Sequence, residues 1–522
     1  LFSRRRYPDG AQIHRDLSPR RVTADGQARL LAVYRVRMKD EKIEHCTMGE
    51  NGEGTLWFAY QIVTGPLPWF NNCPYVDVLD PEAIERFLQV THQVYAGAVG
   101  EEFGQAVPAI FTDEPQFQQA ETIEDAKTAE EAGIPYNKEV EKRFQEMFGY
   151  SLLEMLPYLM LDGGEGSRGI RYHYFNVLAE CFADAYAGTI GRWCREQGIL
   201  LTGHVMMEPE LESQSRAVGE AMRAYREFGL PGIDMLAGRH EYTTAKQAQS
   251  VSRQQSCPGV ASEMYGATNW DFDFRGHKHH GDWQAVLGVT LRVPHLAWMY
   301  MGGEAKRDYP APIDGHSPWF RQYHILEDHF ARVNLAMTRG RARVRIGVIH
   351  PIESFWLYLG PGQENKRMRC KLESQFAELT EWLLFHLYDF DYLAESLLEE
   401  QYRGCGEKRL QIGAMGYEAV IVPECITLRK ATERILREFQ QQGGTVILMG
   451  EAPCLRDGIP LDQEGAPEKV MEEGWTQIGF EKDRLLELLE PYRDLEVLEE
   501  TGDRTKNLIY QMREAERGRW LF

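Results

Sequence analysis

Two acidic residues, Glu114 and Glu263, stand where short apolar runs give way to polar loops. The first follows the run Val107-Pro108-Ala109-Ile110-Phe111-Thr112, the second the run Val260-Ala261-Ser262. Cleaving a glycosidic bond takes one carboxylic acid to protonate the leaving oxygen. It also takes a second carboxylate, across the sugar ring, acting as nucleophile or as base toward water. Glu114 is assigned the first role and Glu263 the second. Asp113 faces elsewhere if its strand persists, because side chains alternate. There it either holds a partner residue, raises the acid's pKa by like-charge repulsion, or simply caps the loop. His204 (with Glu208 just beyond), Asp234 and His295 end other apolar runs. Tyr265 and Trp270, close after Glu263, offer aromatic surface for a sugar, and the loop Trp69-Phe70-Asn71-Asn72-Cys73-Pro74-Tyr75 offers more. The substrate-binding candidates are therefore Asp113, His204, Asp234, Tyr265, Trp270 and His295.

Positioning such groups calls for a fold whose strand ends converge. From about 82 to 337, apolar runs alternate with amphipathic helical stretches, the mark of βα units around a parallel sheet. Strands are expected at 107–112, 199–203, 232–236, 260–263 and 293–300. Helices are expected from Pro81 onward and over 172–194, 212–228, 244–255 and 282–287. Counted back from the last strand, these are strands four to eight of a (β/α)8 TIM-type barrel, with Glu114 closing strand four and Glu263 strand seven. In such barrels the chemistry sits at the C-terminal strand ends. Three front strands are missing, and the first 100 residues supply at most one, so the chain reads as truncated at both ends. The pattern restarts at 344–349 as a smaller, flavodoxin-like doubly wound α/β domain. The domains are thus 1–340, the barrel; 341–455, the second α/β domain; and 456–522, its end or the start of a further β domain.

Composition narrows the partners. The 522 residues exceed one hydrophobic core. A net charge of -21 argues against nucleic acid or an anionic membrane and suits a neutral ligand such as a carbohydrate. The 9 cysteines are scattered without a CxxC pair, which reads as reduced thiols in a cytoplasmic protein. A homo-oligomer is compatible with all of this.

The motifs Tyr7-Pro8-Asp9-Gly10, Tyr75-Val76-Asp77-Val78-Leu79, Ile110-Phe111-Thr112-Asp113-Glu114-Pro115, Leu201-Thr202-Gly203-His204, Pro231-Gly232-Ile233-Asp234, Ser262-Glu263-Met264-Tyr265-Gly266 and Lys306-Arg307-Asp308-Tyr309-Pro310 occur in an informative order. Over most of 1–450 the chain resembles the glycoside hydrolases grouped around family 106, the α-L-rhamnosidases, and their bacterial relatives. The second domain resembles the glutamine-amidotransferase-like domain that follows the barrel in family 42 β-galactosidases. The resemblance implies hydrolysis of a terminal sugar, an α-L-rhamnoside or, in a retaining alternative, a β-galactoside. It requires no cofactor, although family 106 is associated with calcium and inversion. Two departures stand out. The relatives' Pro-Ser-Gly turn reads Pro-Asp-Gly here, and Asp113 replaces the Asn that precedes the acid in the large barrel clan with a glutamate pair.

Two metal signals are weak. His240-Glu241 begins an HExxH motif that Thr244 interrupts, and His277-Lys278-His279-His280 reads as solvated histidines. Cys425 lacks the small neighbours of a nucleophile elbow. A non-catalytic carbohydrate-binding barrel remains an alternative. So does a metal-dependent hydrolase, which would need two or more of His204, Asp234, His295 and Glu263 within ligand distance.

Overall fold

A computed structural model describes residues 1–16, 23–125, 131–303, 313–461 and 469–522. The motif Lys306 to Pro310 lies outside the described residues. The chain opens as an antiparallel sheet: β1 (Phe2–Ser3), β2 (Gln12–Asp16), β3 (Thr23–Lys39), β4 (Lys42–Met48) and β5 (Thr55–Thr64). In β3, Tyr34 and Val36 turn inward, each 1% exposed, with Arg35 and Arg37 on the other face. That alternation is what a half-buried strand requires. Phe2 stacks on Trp57, ring centroids 4.7 Å apart. This segment therefore adds no barrel strand.

The parallel sheet begins with β6 (Ala109–Thr112). After β7 (Glu131–Ala132), which pairs with β1, come β8 (Leu200–Gly203), β9 (Leu230–Met235), β10 (Val260–Met264) and β11 (Val289–Pro294). Their order in the sheet is β11-β10-β9-β8-β6, all parallel. Four of the five strands expected from the sequence lie where they were placed. The last is displaced: it spans Val289–Pro294 rather than 293–300. Val289 and Leu291 carry the β-branched and apolar signal, and Pro294, which has no N–H to donate, ends the run. The helix Pro81–Val90 starts as expected, with Asp80 accepting a bond from Glu82 N–H and proline in the first turn. The helix expected over 212–228 is split into Leu211–Ala217 and Ala221–Tyr225. Gly219 breaks it with φ +79°, and a Cβ there would lie 2.7 Å from that of Ala179.

A second five-stranded sheet follows, built from Ile346–Ile349, Phe390–Leu393, Ala419–Val422, Thr445–Met449 and Thr476–Ile478. All its pairings are parallel, and in chain order its strands lie 2-1-3-4-5. Its last strand lies beyond 455, so the sheet runs on to Ile478, and the helix Lys482–Leu489 follows it. The hairpin Met512–Ala515 and Gly518–Leu521 then pairs back onto Arg341–Ala342. One hydrophobic core runs through both units, joining Tyr172, Val177 and Met264 to Ile346, Trp356 and Leu383. Among the described residues no helix is long and apolar enough to cross a membrane.

Candidate functional site

The ends of β6, β8, β9 and β10 meet because their backbones approach closely. A Cβ at Gly203 would lie 2.0 Å from the carbonyl oxygen of Thr112, and one at Gly232 2.3 Å from that of Gly203. Only glycine fits such spacing. His204 N–H then donates to Thr112 O, tying the end of β8 to that of β6. Glu263 and Asp234 are register partners on adjacent strands, which puts two carboxyl groups side by side.

His204 sits at the centre, 1% exposed. Its Nε2 lies 3.2 Å from Asp113 Oδ1. Two sets of side chains converge on it with donor atoms within 4.8 Å of one another: Asp113, His204 and Glu263, and Glu114, His204 and Asp234. Both glutamates singled out in the sequence therefore face the same imidazole. Beyond Glu263, His295 Nε2 lies 3.9 Å from Glu263 Oε1, and His295 N–H donates to Met264 O.

Burial first, and then the crowding of charge, sets the proton affinities. Burial raises Glu263 most, the Asp234 charge adds to it, His204 opposes, and Asp113 and Glu114 add the rest; the carboxyl is pushed up to about 7. Asp234 rises to about 6, through burial first, then against His204 with Glu114, Asp113 and Glu241 contributing. For His204 burial works downward, but Asp113, Glu208, Asp234 and Glu263 outweigh it and hold the imidazole up at about 9. The cluster is thus several acidic groups around one imidazolium, poised to hold or move protons in the neutral range.

Two placements, those of Asp113 and Tyr265, differ from expectation. Asp113 does not face away from Glu114. Glu114 adopts φ +46°, which breaks the strand's alternation and lets both neighbours reach His204. Tyr265 is no sugar platform: it is fully buried, with its ring 4.5 Å from that of His277. Its φ of +70° ends β10 and turns the side chain into the helix layer. Trp270 lies half-buried on the loop beyond, where its backbone N–H donates to Asn269 Oδ1.

Sequence reasoning gave little weight to two further groups. Glu208 is 6% exposed, and burial pushes its carboxyl up to about 8. The Tyr225 hydroxyl reaches Glu208 Oε1 at 3.1 Å and Gly232 O at 2.8 Å, binding the ends of β8 and β9 together. Glu208's place just past a strand end was the available signal; Tyr225, on a helix, had none. Tyr75, from the aromatic loop before the first helix, takes a bond from Gln116 N–H and feels the Glu114 charge. Its ring lies 4.9 Å from Phe70, so this loop, rather than Tyr265, brings aromatic surface beside Glu114.

Calcium fits this arrangement poorly. It takes roughly six to eight oxygen ligands, whereas both converging sets carry an imidazole nitrogen at their centre.

No protein-family model and no curated protein matches the chain. Solved structures do. The rhamnosidase from Novosphingobium sp. PP1Y aligns over 90% of this chain and 45% of its own, at 18% identity and a TM-score of 0.67. The apo exo-carrageenase GH42 from Bacteroides ovatus aligns over 81% of this chain and 59% of its own, at 12% identity and a TM-score of 0.53. At these identities the likeness is one of fold, and the chain spans about half the length of the proteins it resembles.

Proposed function

We propose that this chain carries the catalytic centre of a glycoside hydrolase that removes a terminal sugar, an α-L-rhamnoside being the preferred substrate. The five parallel strands are read as strands four to eight of a (β/α)8 barrel, and the second sheet, in its 2-1-3-4-5 order, as the flavodoxin-like unit that follows it. One observation carries the reading. Four acidic side chains, Asp113, Glu114, Asp234 and Glu263, converge at parallel-strand ends around a single imidazole. Gathering like charges costs stability, so a cluster of this kind points to a use.

In this account Glu114 protonates the leaving oxygen. Glu263, with a proton affinity near neutral, is ionised just above pH 7 and accepts a proton from the attacking water. A base acting on water implies inversion, whereas a nucleophile in the same place would imply retention. His204 holds the cluster together electrostatically, Asp234 tunes Glu263, and Phe70 and Tyr75 flank the sugar. All nine cysteines are free, in keeping with a reducing compartment.

The test is a panel of nitrophenyl glycosides on the full chain, with the anomer of the first product followed by NMR. Hydrolysis of the α-L-rhamnoside with inversion supports the reading; no turnover of any glycoside overturns it. A second reading rests on the mixed nitrogen and oxygen donors around His204, a set that zinc-class ions accept. Activity abolished by chelation and restored by zinc would put that reading in its place.

A further inference from the structure

The two histidine signals that the sequence leaves apart come together in space. His240 follows β9 on a loop pinned by a bond from Ala237 N–H to Gly266 O. His279 lies on the helix Phe274–Val286, 39 positions away in the chain. Their Nε2 atoms are 3.2 Å apart at the surface. On that helix His277 and His280, three positions apart, face inward, 0% and 2% exposed, while His279 faces out. The His240 ring is braced: its centroid lies 5.2 Å from that of Trp283 and 6.0 Å from that of Tyr242.

Facing imidazole nitrogens at this distance have two explanations. One ring donates an N–H to the other, or both lone pairs point at a shared cation. Zinc binds imidazole nitrogen at about 2.0–2.1 Å in a tetrahedral shell, which sets two ligand nitrogens about 3.3 Å apart. The observed spacing matches that bite. Imidazole pairs suit zinc, copper and nickel, not calcium or magnesium.

We propose that His240 and His279 form a two-histidine chelate for a first-row transition metal ion of the zinc and copper class, with water in the remaining positions. The site shares no ligand with the strand-end carboxylates. It does not depend on the glycosidase reading.

Zinc alone is the probe, added to the chelator-treated full chain and followed by calorimetry and by thermal unfolding. The wild type should bind zinc at this site and unfold at a higher temperature with it, since an ion that binds only the folded state stabilises it. His240→Asn and His279→Asn should each weaken that binding at least tenfold. The double variant should lose no more than either single one, because the two rings share one ion. Glu263→Gln, which touches only the carboxylate cluster, should keep the site. Equal zinc binding by the wild type and both histidine variants would overturn the proposal, as would loss of all binding in Glu263→Gln.

Discussion

Charge is buried in two places in this molecule, and the two are arranged in opposite ways. Between the barrel-side helix Tyr242–Gln255 and the second sheet, Lys246 and Arg253 meet Asp389 and Asp391: two cations, two anions. Lys246 Nζ lies 2.9 Å from Asp389, and Arg253 reaches Asp389 at 2.8 Å and Asp391 at 2.9 Å. Burial would raise both aspartates; Arg253 and Lys246 hold Asp389 below the ordinary carboxylate range, while Asp391 stays above it because burial outweighs the same two cations. At the strand ends the balance is lost, with Asp113, Glu114, Asp234 and Glu263 sharing one imidazole, and there burial, with the neighbouring carboxylates adding to it, raises the carboxyls of Asp234 and Glu263. Matched charges lock two units in register. Unmatched ones leave protons available for transfer.

The comparison breaks most visibly if either of the two glutamates proposed to act on the sugar proves dispensable. Glu114→Gln and Glu263→Gln should each lower kcat by about 10²–10⁴-fold, the range of one general acid or base, with circular dichroism unchanged. On the matched side, Arg253→Ala leaves two buried aspartates with one lysine. Its cost is about 3–5 kcal/mol in denaturant unfolding, typical of one partner removed from a buried pair.

A third prediction sharpens the contrast through pH. Glu263 holds its proton more tightly folded than unfolded, so between its ordinary pKa and about 7 the folded state binds more protons. Stability is therefore lost as pH rises through that window. Glu263→Gln should be more stable than the wild type by about 1–3 kcal/mol at pH 8. The gain should fade below pH 4, where the carboxyl is protonated in both states. Asp389 has the opposite sign, stabilising above its ordinary pKa and ceasing to do so as pH falls. The smallest effect is expected from Asp234→Asn. Removing this neighbour should move the lower limb of the kcat/KM profile, set near 7 by Glu263, down by less than about one unit.

Much of the site could be read from the chain because parallel strands announce themselves as apolar runs, and Glu114, His204, Asp234 and Glu263 each follow one. What escaped was set by backbone geometry and by distance. The positive φ at Glu114 turns Asp113 toward the site, and the one at Tyr265 takes its ring out, and neither residue type advertises that conformation. The N-terminal sheet did carry a period-two signal at Tyr34-Arg35-Val36-Arg37, overlooked among long polar stretches. The fifth strand of the second sheet, Thr476–Ile478, is too short to show a pattern. His240 and His279 become neighbours only through tertiary packing.

The most direct test of two carboxyls acting on one sugar uses leaving groups of different acidity on the same glycoside. A dinitrophenolate departs without a proton, whereas a sugar alcohol does not. Glu114→Gln should keep most of its turnover on the dinitrophenyl substrate and lose it on the alcohol, while Glu263→Gln should fail on both. Rescue of Glu263→Gln instead of Glu114→Gln would reverse the roles, and near-normal turnover of the alcohol substrate by both variants would contradict the account.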